Sequence, residues 1–329
     1  MKAPDPIQKL TSGGAFSFRR LEIAGIDNEP VFRVNDPKMV QEETCLFHRD
    51  VPSGDAYVQR LGNRVAEAVA RRVPLPVVRF ADGEYAFYHL DLACNGLYQQ
   101  AESKAAIREA LPMHAAALRE LARTGLIAPL VFPGNTEGKV SGWKALFKSR
   151  RPSATTFLHW LEEANVPLTG ENYVPFYAVY AYFSSASFAR LMDGRRLAIL
   201  NSDSDGPACI RWFEAHGSRP AIHLVDIPNS YVATRWDEMK EDVLGRVPPG
   251  MDLLLVGAGI GALPVCVDAA RRFGVLNPIH TTNFLPTVDP PACTGDEGNS
   301  VGQVVKHLRH SLAGRPTGPF SSSVSLAHS

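Results

Sequence analysis

Short apolar runs alternate with helical periodicity along the last third of the chain. The runs are RLAIL, AIHLV, DLLLV and PIHTTN, and between them lie GPACIRWFEAHG, TRWDEMKEDVLGRV and GALPVCVDAARRFG. Apolar strands that alternate with helices of ten or more residues are typical of a parallel sheet covered on both faces. The pattern therefore predicts an α/β fold with a doubly wound, mostly parallel, Rossmann-like sheet.

The middle of the chain extends this pattern. Apolar residues recur at helical spacing from Val58 to Val69, and Pro76 then leads into the apolar run PVVRF, which predicts a helix followed by a buried strand. A second helical pattern from Ile107 to Leu121 contains Pro112, where we expect a kink or a break. The run from Leu126 to Phe132 is a further candidate strand.

The two ends of the chain differ from this body. Residues 1–54 contain FSFRRLEIAGIDNEPVFRV, in which two β-prone runs flank a Gly/Asp/Asn/Pro cluster, and this predicts a β-hairpin arm. From residue 314 the chain is rich in Ser, Pro and Gly and buries too little apolar surface to offset its ordering entropy. We expect an N-terminal arm (1–54), one α/β domain (55–313) and a disordered tail (314–329).

Charge and composition exclude several classes of partner. The chain has 34 basic and 34 acidic residues, so it has no net field that would gather nucleic acid or an anionic membrane surface. The apolar stretch from Leu253 to Val267 is glycine-broken and shorter than the roughly 20 residues that span a bilayer. We expect a cytoplasmic protein without an integral membrane segment. Five scattered cysteines without CxxC spacing indicate neither a disulfide framework nor a thiolate zinc site.

Doubly wound proteins bind ligands beyond the carboxyl ends of their strands, which selects four segments here. These are Ala81 to Glu84, Asn201 to Asp205, Asp226 to Asn229, and Gly257 to Gly261. Three of the four carry acids, and the fourth is a glycine turn that runs into a helix.

Asp82 and Glu84 stand two residues apart with Gly83 between them, so both carboxylates can converge on one point. Mg²⁺ and Mn²⁺ prefer such oxygen ligands and often complete their shell with substrate phosphate and water. Arg79, on the preceding strand, could contact phosphate bidentately. The alternative is that the two acids only form a turn and cap the following helix.

The other strand ends also leave alternatives open. Gly257, Gly259 and Gly261 suit a dinucleotide site or the first motif of a methyltransferase, but the next strand lacks the acid that a dinucleotide ribose needs, and little chain remains for a methyltransferase. A tight strand-to-helix connection explains the glycines equally well. Residues 201–205 suit sugar hydroxyls or a catalytic base, or a simple helix start. The aromatic run 173–183 is expected to form core and pocket wall, with a tyrosine stacking on a base or sugar as the alternative.

The run PVVRFADGEYAFY resembles the signature of the GT-D-type glycosyltransferases, a family first catalogued as a bacterial domain of unknown function. In that family a strand ends in an arginine, an aromatic residue and a Gly-Asp-Gly-Glu turn with a DxE motif. Arg79 and residues 82–84 match the motif, and Ala81 replaces its first glycine. The segment that begins at Asp226 resembles the closing β-α-β-α part of the family, and the resemblance covers residues 56–285.

The resemblance implies a hexosyltransferase that uses a nucleotide-sugar donor, expected to be a UDP-sugar, and a glycan or other hydroxyl acceptor. It further implies a divalent cation, Mn²⁺ or Mg²⁺, held by Asp82 and Glu84. The residues expected to act in catalysis are Asp82, Glu84, Asp203 and Asp205. Those expected to bind the donor are Arg79, Gly83, Asn201, Asp226, Gly257, Gly259 and Gly261.

Several points stay open at this stage. An inverting reaction needs a base, for which Asp203, Asp205 and Asp226 are candidates, whereas a retaining reaction does not. The alternatives to a glycosyltransferase are an S-adenosylmethionine- or NAD(P)-dependent enzyme that uses the glycine turn, and a non-catalytic nucleotide-sugar-binding domain. The arm at residues 1–54 is a candidate both for homo-oligomer formation and for shaping the acceptor site.

Overall fold

A six-stranded parallel sheet organises the chain. The computed structural model describes residues 7, 9–10, 16–20, 44–51, 53–92, 99–136, 154–274 and 277–280. The strands are β1 (Phe16–Arg20), β2 (Thr44–His48), β3 (Val77–Phe80), β4 (Leu126–Pro129), β5 (Arg196–Asn201), β6 (Ala221–Asp226), β7 (Leu253–Gly257) and β8 (Asn277–His280). The six strands of the main sheet follow the order β4-β3-β8-β7-β5-β6, and all neighbours in it are parallel.

Helices connect these strands. They are α1 (Gly54–Arg71), α2 (Asp82–Tyr88), α3 (Lys104–Thr124), α4 (Pro133–Thr136), α5 (Ala154–Glu163), α6 (Phe176–Phe183), α7 (Ala186–Met192), α8 (Gly206–Ala215), α9 (Val232–Gly245) and α10 (Ala262–Phe273). A short 3₁₀ turn, Gly259–Gly261, precedes α10. The predicted α/β fold with a mostly parallel sheet is confirmed, because each apolar run of the last third forms a strand and each intervening helical stretch contains a helix.

Helix α3 runs without a break through Pro112, so of the two expected outcomes, a kink or a break, the break is wrong. Proline cannot donate to the carbonyl four residues earlier, which belongs to Arg108. Pro112 and Arg108 are both exposed, so water can satisfy that carbonyl. On the opposite face Ile107, Leu118 and Leu121 are fully buried. Burial of this apolar face holds the helix together across the proline.

A small antiparallel pair precedes the main sheet. Strand β1 pairs with β2, from Phe16 opposite His48 to Arg20 opposite Thr44. The N-terminal hairpin is thus confirmed as an antiparallel pair, but its second strand is β2, and the predicted partner run 31–34 lies outside the described residues. Phe16 and Phe47 are buried in the same core as the main sheet, and the Tyr173 hydroxyl donates to the Leu46 carbonyl. The pair therefore shares the core of the α/β domain.

The remaining sequence expectations concern single residues or unobserved segments. Cys45, Cys209 and Cys266 are buried and not disulfide-bonded, as expected. The other two cysteines, Cys94 and Cys293, and the tail 314–329 lie outside the described residues.

Among the helices that the structure describes, none combines the length and the apolar character needed to cross a membrane.

Candidate active site

The sequence-predicted residues gather at the carboxyl edge of the parallel sheet. Strand β3 ends before Asp82, β7 ends in the glycine turn, and β5 and β6 end at Asn201 and Asp226, which are neighbours in register. Helix α2 lies beside the 3₁₀ turn Gly259–Gly261. The DxE turn and the glycine turn therefore border the same part of this edge.

The chain passes from β3 into α2 through a single residue, Ala81. Ala81 is the N-cap of α2 and has φ −130° and ψ −161°, an extended conformation open to any L-amino acid. Alanine therefore replaces the first glycine of the motif without backbone strain, and the two acids keep their positions in the first turn of the helix.

Glu84 points back into the protein. One of its carboxylate oxygens, Oε2, accepts a hydrogen bond of 2.8 Å from the backbone N–H of Ala81, and the residue is only 8% exposed. Burial raises the pKa of the Glu84 carboxyl to about 7, although the Ala81 N–H and the Arg79 guanidinium oppose that rise. The carboxylate serves as the helix-capping group of its own turn.

Arg79 lies beneath the DxE turn and is 2% exposed. Its guanidinium carbon is 3.9 Å from the centre of the Tyr180 ring and 5.1 Å from that of Phe176, both on α6. A guanidinium in this position gains from the negative face of each ring. Two rings of the aromatic run 173–183 thus pack against Arg79, and the Tyr180 ring contacts this side chain.

Asp82 differs from both neighbours because it is exposed. Its Oδ1 accepts a hydrogen bond of 3.1 Å from the backbone N–H of the next residue, Gly83. A Cβ built on Gly83 would meet nothing within 4 Å, so the space beside the turn is open. Of the three charged residues of the motif, Asp82 is the one that a ligand from solvent reaches directly.

The glycine turn is occupied by the protein's own side chains. Gly259 has φ +54°, and a Cβ built on it would lie 2.7 Å from the side-chain amide nitrogen of Gln100. Gln100 Oε1 accepts a hydrogen bond of 2.9 Å from the backbone N–H of Ile260. Built Cβ atoms on Gly257 and Gly261 would lie 2.9 Å from Asn201 and 2.6 Å from Val232. These glycines therefore allow close packing of protein groups against the turn.

The acids after β5 and β6 have different surroundings. Asp205 is the N-cap of α8, and its Oδ1 accepts a hydrogen bond of 2.9 Å from Ala208 N. Asn201 Oδ1 accepts from Ser202 N at 2.9 Å. Asp203 and Asp226 are exposed. Asp205 thus caps α8, and Asp203 and Asp226 are accessible to solvent.

A divalent cation can be tested against these donors. Within the described ranges, no group of three His, Cys, Asp or Glu side chains is arranged to hold a metal ion. Mg²⁺ commonly binds through one or two carboxylates and takes its other ligands from phosphate and water. Asp82 fits that pattern as a single carboxylate, so a cation held there would need its other ligands from phosphate and water.

Buried residues that the sequence did not single out support helix α2. His114 on α3 is fully buried; its Nδ1 lies 3.0 Å from the Tyr88 hydroxyl and its Nε2 lies 2.7 Å from the Ala233 carbonyl oxygen. The Tyr88 ring stacks on Trp160 with 3.7 Å between centroids. Gln100 and His114 were missed because each makes its contact with residues far along the chain, Ile260 in the case of Gln100, and neither belongs to a motif.

Comparisons with known proteins concern the fold. No protein-family model and no curated protein matches the chain. Two matching structures are of the domain of unknown function 1792: one is a selenomethionine-substituted structure, and the other is described as having a distinct glycosyltransferase fold. The fold is similar to that domain. The first structure is 14% identical with a TM-score of 0.43, and the second is 15% identical with a TM-score of 0.42. Each match covers 71% of this chain and 83% of the other.

This similarity is limited to the fold and gives no residue a role. The resemblance of the DxE turn to GT-D-type glycosyltransferases indicated the same kind of domain. The roles of the site residues therefore depend on their own geometry.

Proposed function

We propose that the protein is a glycosyltransferase that moves a sugar from a nucleotide-sugar donor, a UDP-sugar, to a glycan or other hydroxyl acceptor. The observation that carries this proposal is the junction of β3 and α2. There the turn that resembles the GT-D signature has an exposed Asp82 at the carboxyl edge of a parallel sheet. Doubly wound proteins bind their ligands at that edge.

The chemistry of transfer fits an exposed carboxylate at this position. Breaking the bond between sugar and phosphate leaves negative charge on the departing nucleoside diphosphate. A divalent cation, Mn²⁺ or Mg²⁺, bound through Asp82, phosphate oxygens and water would neutralise part of that charge. Asp82 in this role orients the phosphates of the donor relative to the sheet edge.

The acceptor side of the reaction involves the ends of β5 and β6. In an inverting reaction, a carboxylate must take the proton of the acceptor hydroxyl as the new bond forms. Asp203 and Asp226 suit this role because both are exposed, whereas Asp205 is occupied as the cap of α8. A retaining reaction requires no such base.

No observation favours a cofactor-dependent enzyme that works from the glycine turn. Gln100, Asn201 and Val232 lie against its three glycines, and the N–H of Ile260 already donates to Gln100. A phosphate or a methionine group at that turn would have to displace these side chains.

The proposal is tested with the full-length protein and a panel of nucleotide sugars, each with Mn²⁺ or Mg²⁺. A ligand that binds only the native state raises the unfolding temperature, so we expect a UDP-sugar with metal to raise it. We also expect release of nucleoside diphosphate, faster when an acceptor is present. The variant Asp82→Asn should lose both effects and keep its own unfolding temperature.

The matched control is Asp242→Asn, which removes an exposed carboxylate from α9, away from the strand ends. It should behave like the parent protein. Stabilisation by S-adenosylmethionine or NAD, with none by nucleotide sugars, would overturn the proposal. Binding of a nucleotide sugar without release or transfer across a panel of acceptors would indicate the non-catalytic binding domain instead.

A further inference from the structure

We propose that the two acids of the DxE turn have separate roles: Asp82 contacts the metal-bound donor, and Glu84 is a positioning residue that holds the turn from inside the protein. This inference rests on the proposed function and departs from the sequence resemblance, which gives both acids to the ligand. In this view the Asp82 carboxylate contacts the substrate, and the Glu84 carboxylate stays bound to the protein backbone.

The first argument is the hydrogen bond that Glu84 makes. Its Oε2 is 2.8 Å from Ala81 N, so the carboxylate satisfies a backbone donor at the point where β3 becomes α2. A Glu84 carboxylate that turned outward to a metal would leave this donor without its acceptor. The Ala81 N–H is half-buried, so losing its acceptor is unfavourable, and the fold resists that movement.

The second argument is the charge beneath the turn. Arg79 is nearly fully buried, and its guanidinium attracts the Glu84 carboxylate. A buried ion is tolerated only when another charge or hydrogen bonds compensate it. Arg79 is also held against the Tyr180 ring at 3.9 Å. Glu84 and Arg79 are therefore two buried, mutually attracting charges backed by the half-buried Tyr180 ring, and pulling Glu84 toward a ligand would weaken its attraction to Arg79.

The third argument is the exposure of Asp82. It is exposed, its one hydrogen bond among those described is accepted by Oδ1 from the adjacent Gly83 N–H, and a Cβ built on Gly83 meets nothing within 4 Å. It can bind a cation or a phosphate-bound water without disturbing the capping bond of Glu84. The geometry thus favours Asp82 as the residue that contacts the ligand and Glu84 as the residue that holds the turn.

The experiment compares three variants of the full-length protein, Asp82→Asn, Glu84→Gln and Glu84→Ala. Two quantities are measured: the Kd of UDP in the presence of Mn²⁺ by calorimetry, and the unfolding temperature without ligand. Binding of Mn²⁺ is followed independently by the loss of the electron paramagnetic resonance signal of the free ion. None of these readouts requires turnover.

We expect Asp82→Asn to weaken UDP binding at least about tenfold, the effect of losing one contact to a charged group, with an unchanged unfolding temperature. Glu84→Gln keeps an amide oxygen that can accept from Ala81 N, so its Kd should stay within about threefold of the parent value. Glu84→Ala removes the acceptor and should lower the unfolding temperature and weaken UDP binding. Glutamine should thus restore UDP binding and part of the unfolding temperature lost with alanine, because it restores the capping bond but not the attraction to Arg79.

Two results would overturn the inference and leave the proposed function standing. One is that Glu84→Gln weakens UDP binding as strongly as Asp82→Asn at an unchanged unfolding temperature, because Glu84 would then be a direct ligand. The other is that the Glu84→Gln and Glu84→Ala variants unfold at the same temperature, because the capping bond would then contribute nothing to stability. If the parent protein binds no UDP with Mn²⁺ and releases no nucleoside diphosphate, the proposed function fails, and the role of Asp82 with it.

Discussion

A buried histidine makes stability depend on pH in the mildly acidic range. His114 has no exposed surface, and burial lowers the pKa of its imidazole to about 4, against 6.5 for an unperturbed histidine. The ring is neutral in the folded protein: Nε2–H donates to the Ala233 carbonyl and Nδ1 accepts from the Tyr88 hydroxyl. Charging this ring would bury an unpaired cation, and the fold resists it.

The sign and size of the effect follow from proton linkage. Between pH 6.5 and pH 4 the unfolded chain binds a proton at His114 and the folded protein does not, so acid favours unfolding. The contribution of this residue to stability is fully present above pH 6.5 and is lost as the pH falls toward 4. With 1.36 kcal/mol per pKa unit, the loss between pH 7 and pH 5 is about 2 kcal/mol.

The assay is urea unfolding of the parent protein and of His114→Phe at pH 7 and pH 5. Phenylalanine keeps the ring but removes two hydrogen bonds, which together contribute about 2 kcal/mol at pH 7. Because phenylalanine does not titrate, this deficit should shrink to nearly zero at pH 5. Every other titrating group is shared by the two proteins, so their contributions cancel in the difference.

The control is Tyr88→Phe, which removes one hydrogen bond and leaves the histidine in place. Its deficit should be about 1 kcal/mol at both pH values. The reasoning is refuted if the deficit of His114→Phe is the same at pH 5 as at pH 7, because His114 would then not be a buried neutral group.

Further predictions concern three residues that follow strand ends: Asp205, Gly259 and Gly83. Asp205→Ala should cost about 1 kcal/mol because it removes the N-cap of α8, while Asp205→Asn should keep both stability and transfer; loss of transfer in the asparagine variant would instead make Asp205 a base. Gly259→Ala should cost about 1–2 kcal/mol, since φ is +54° and Gln100 fills the space beside it. Gly83 lies in α2 with open space around it, so Gly83→Ala should be neutral or should stabilise the protein by up to about 1 kcal/mol. Both glycine variants are measured by denaturant unfolding, and equal losses of stability would contradict this account.

Three strands of the sheet were predictable from the sequence because they are buried on both faces. Every residue of β3, β4 and β7 is buried, and all except Arg79 are apolar or glycine, so each strand can be recognised without knowledge of its neighbours. The partner of β1 was not predictable, because pairing with β2 joins segments separated by residues 21–43 and local turn residues do not report it. The order of strands in the sheet is non-local for the same reason.

The candidate site was predictable in position but not in the environment of each residue. The carboxyl-end rule selected Asp82 and Glu84 correctly as edge residues, but spacing cannot tell an exposed carboxylate from a buried one. That difference arises because Glu84 is the third residue of a helix and reaches back to Ala81 N. The filling of the glycine turn by Gln100 depends on a contact between residues 160 apart, and no local pattern encodes it.

The distribution of charge at this edge explains why a metal is expected there. The whole chain has 34 basic and 34 acidic residues, but at the site the acidic side chains are mainly exposed and the arginine is buried. Asp82 is exposed after β3, and Asp203 and Asp226 are exposed at the ends of β5 and β6, whereas Arg79 is buried on β3 and attracts Glu84. A diphosphate that approaches this edge meets carboxylates before it meets the guanidinium. On the function proposed above, we predict that donor binding requires a cation from solution, and that removal of the cation by a chelator abolishes binding of the nucleotide sugar while the unfolding temperature of the free protein stays unchanged.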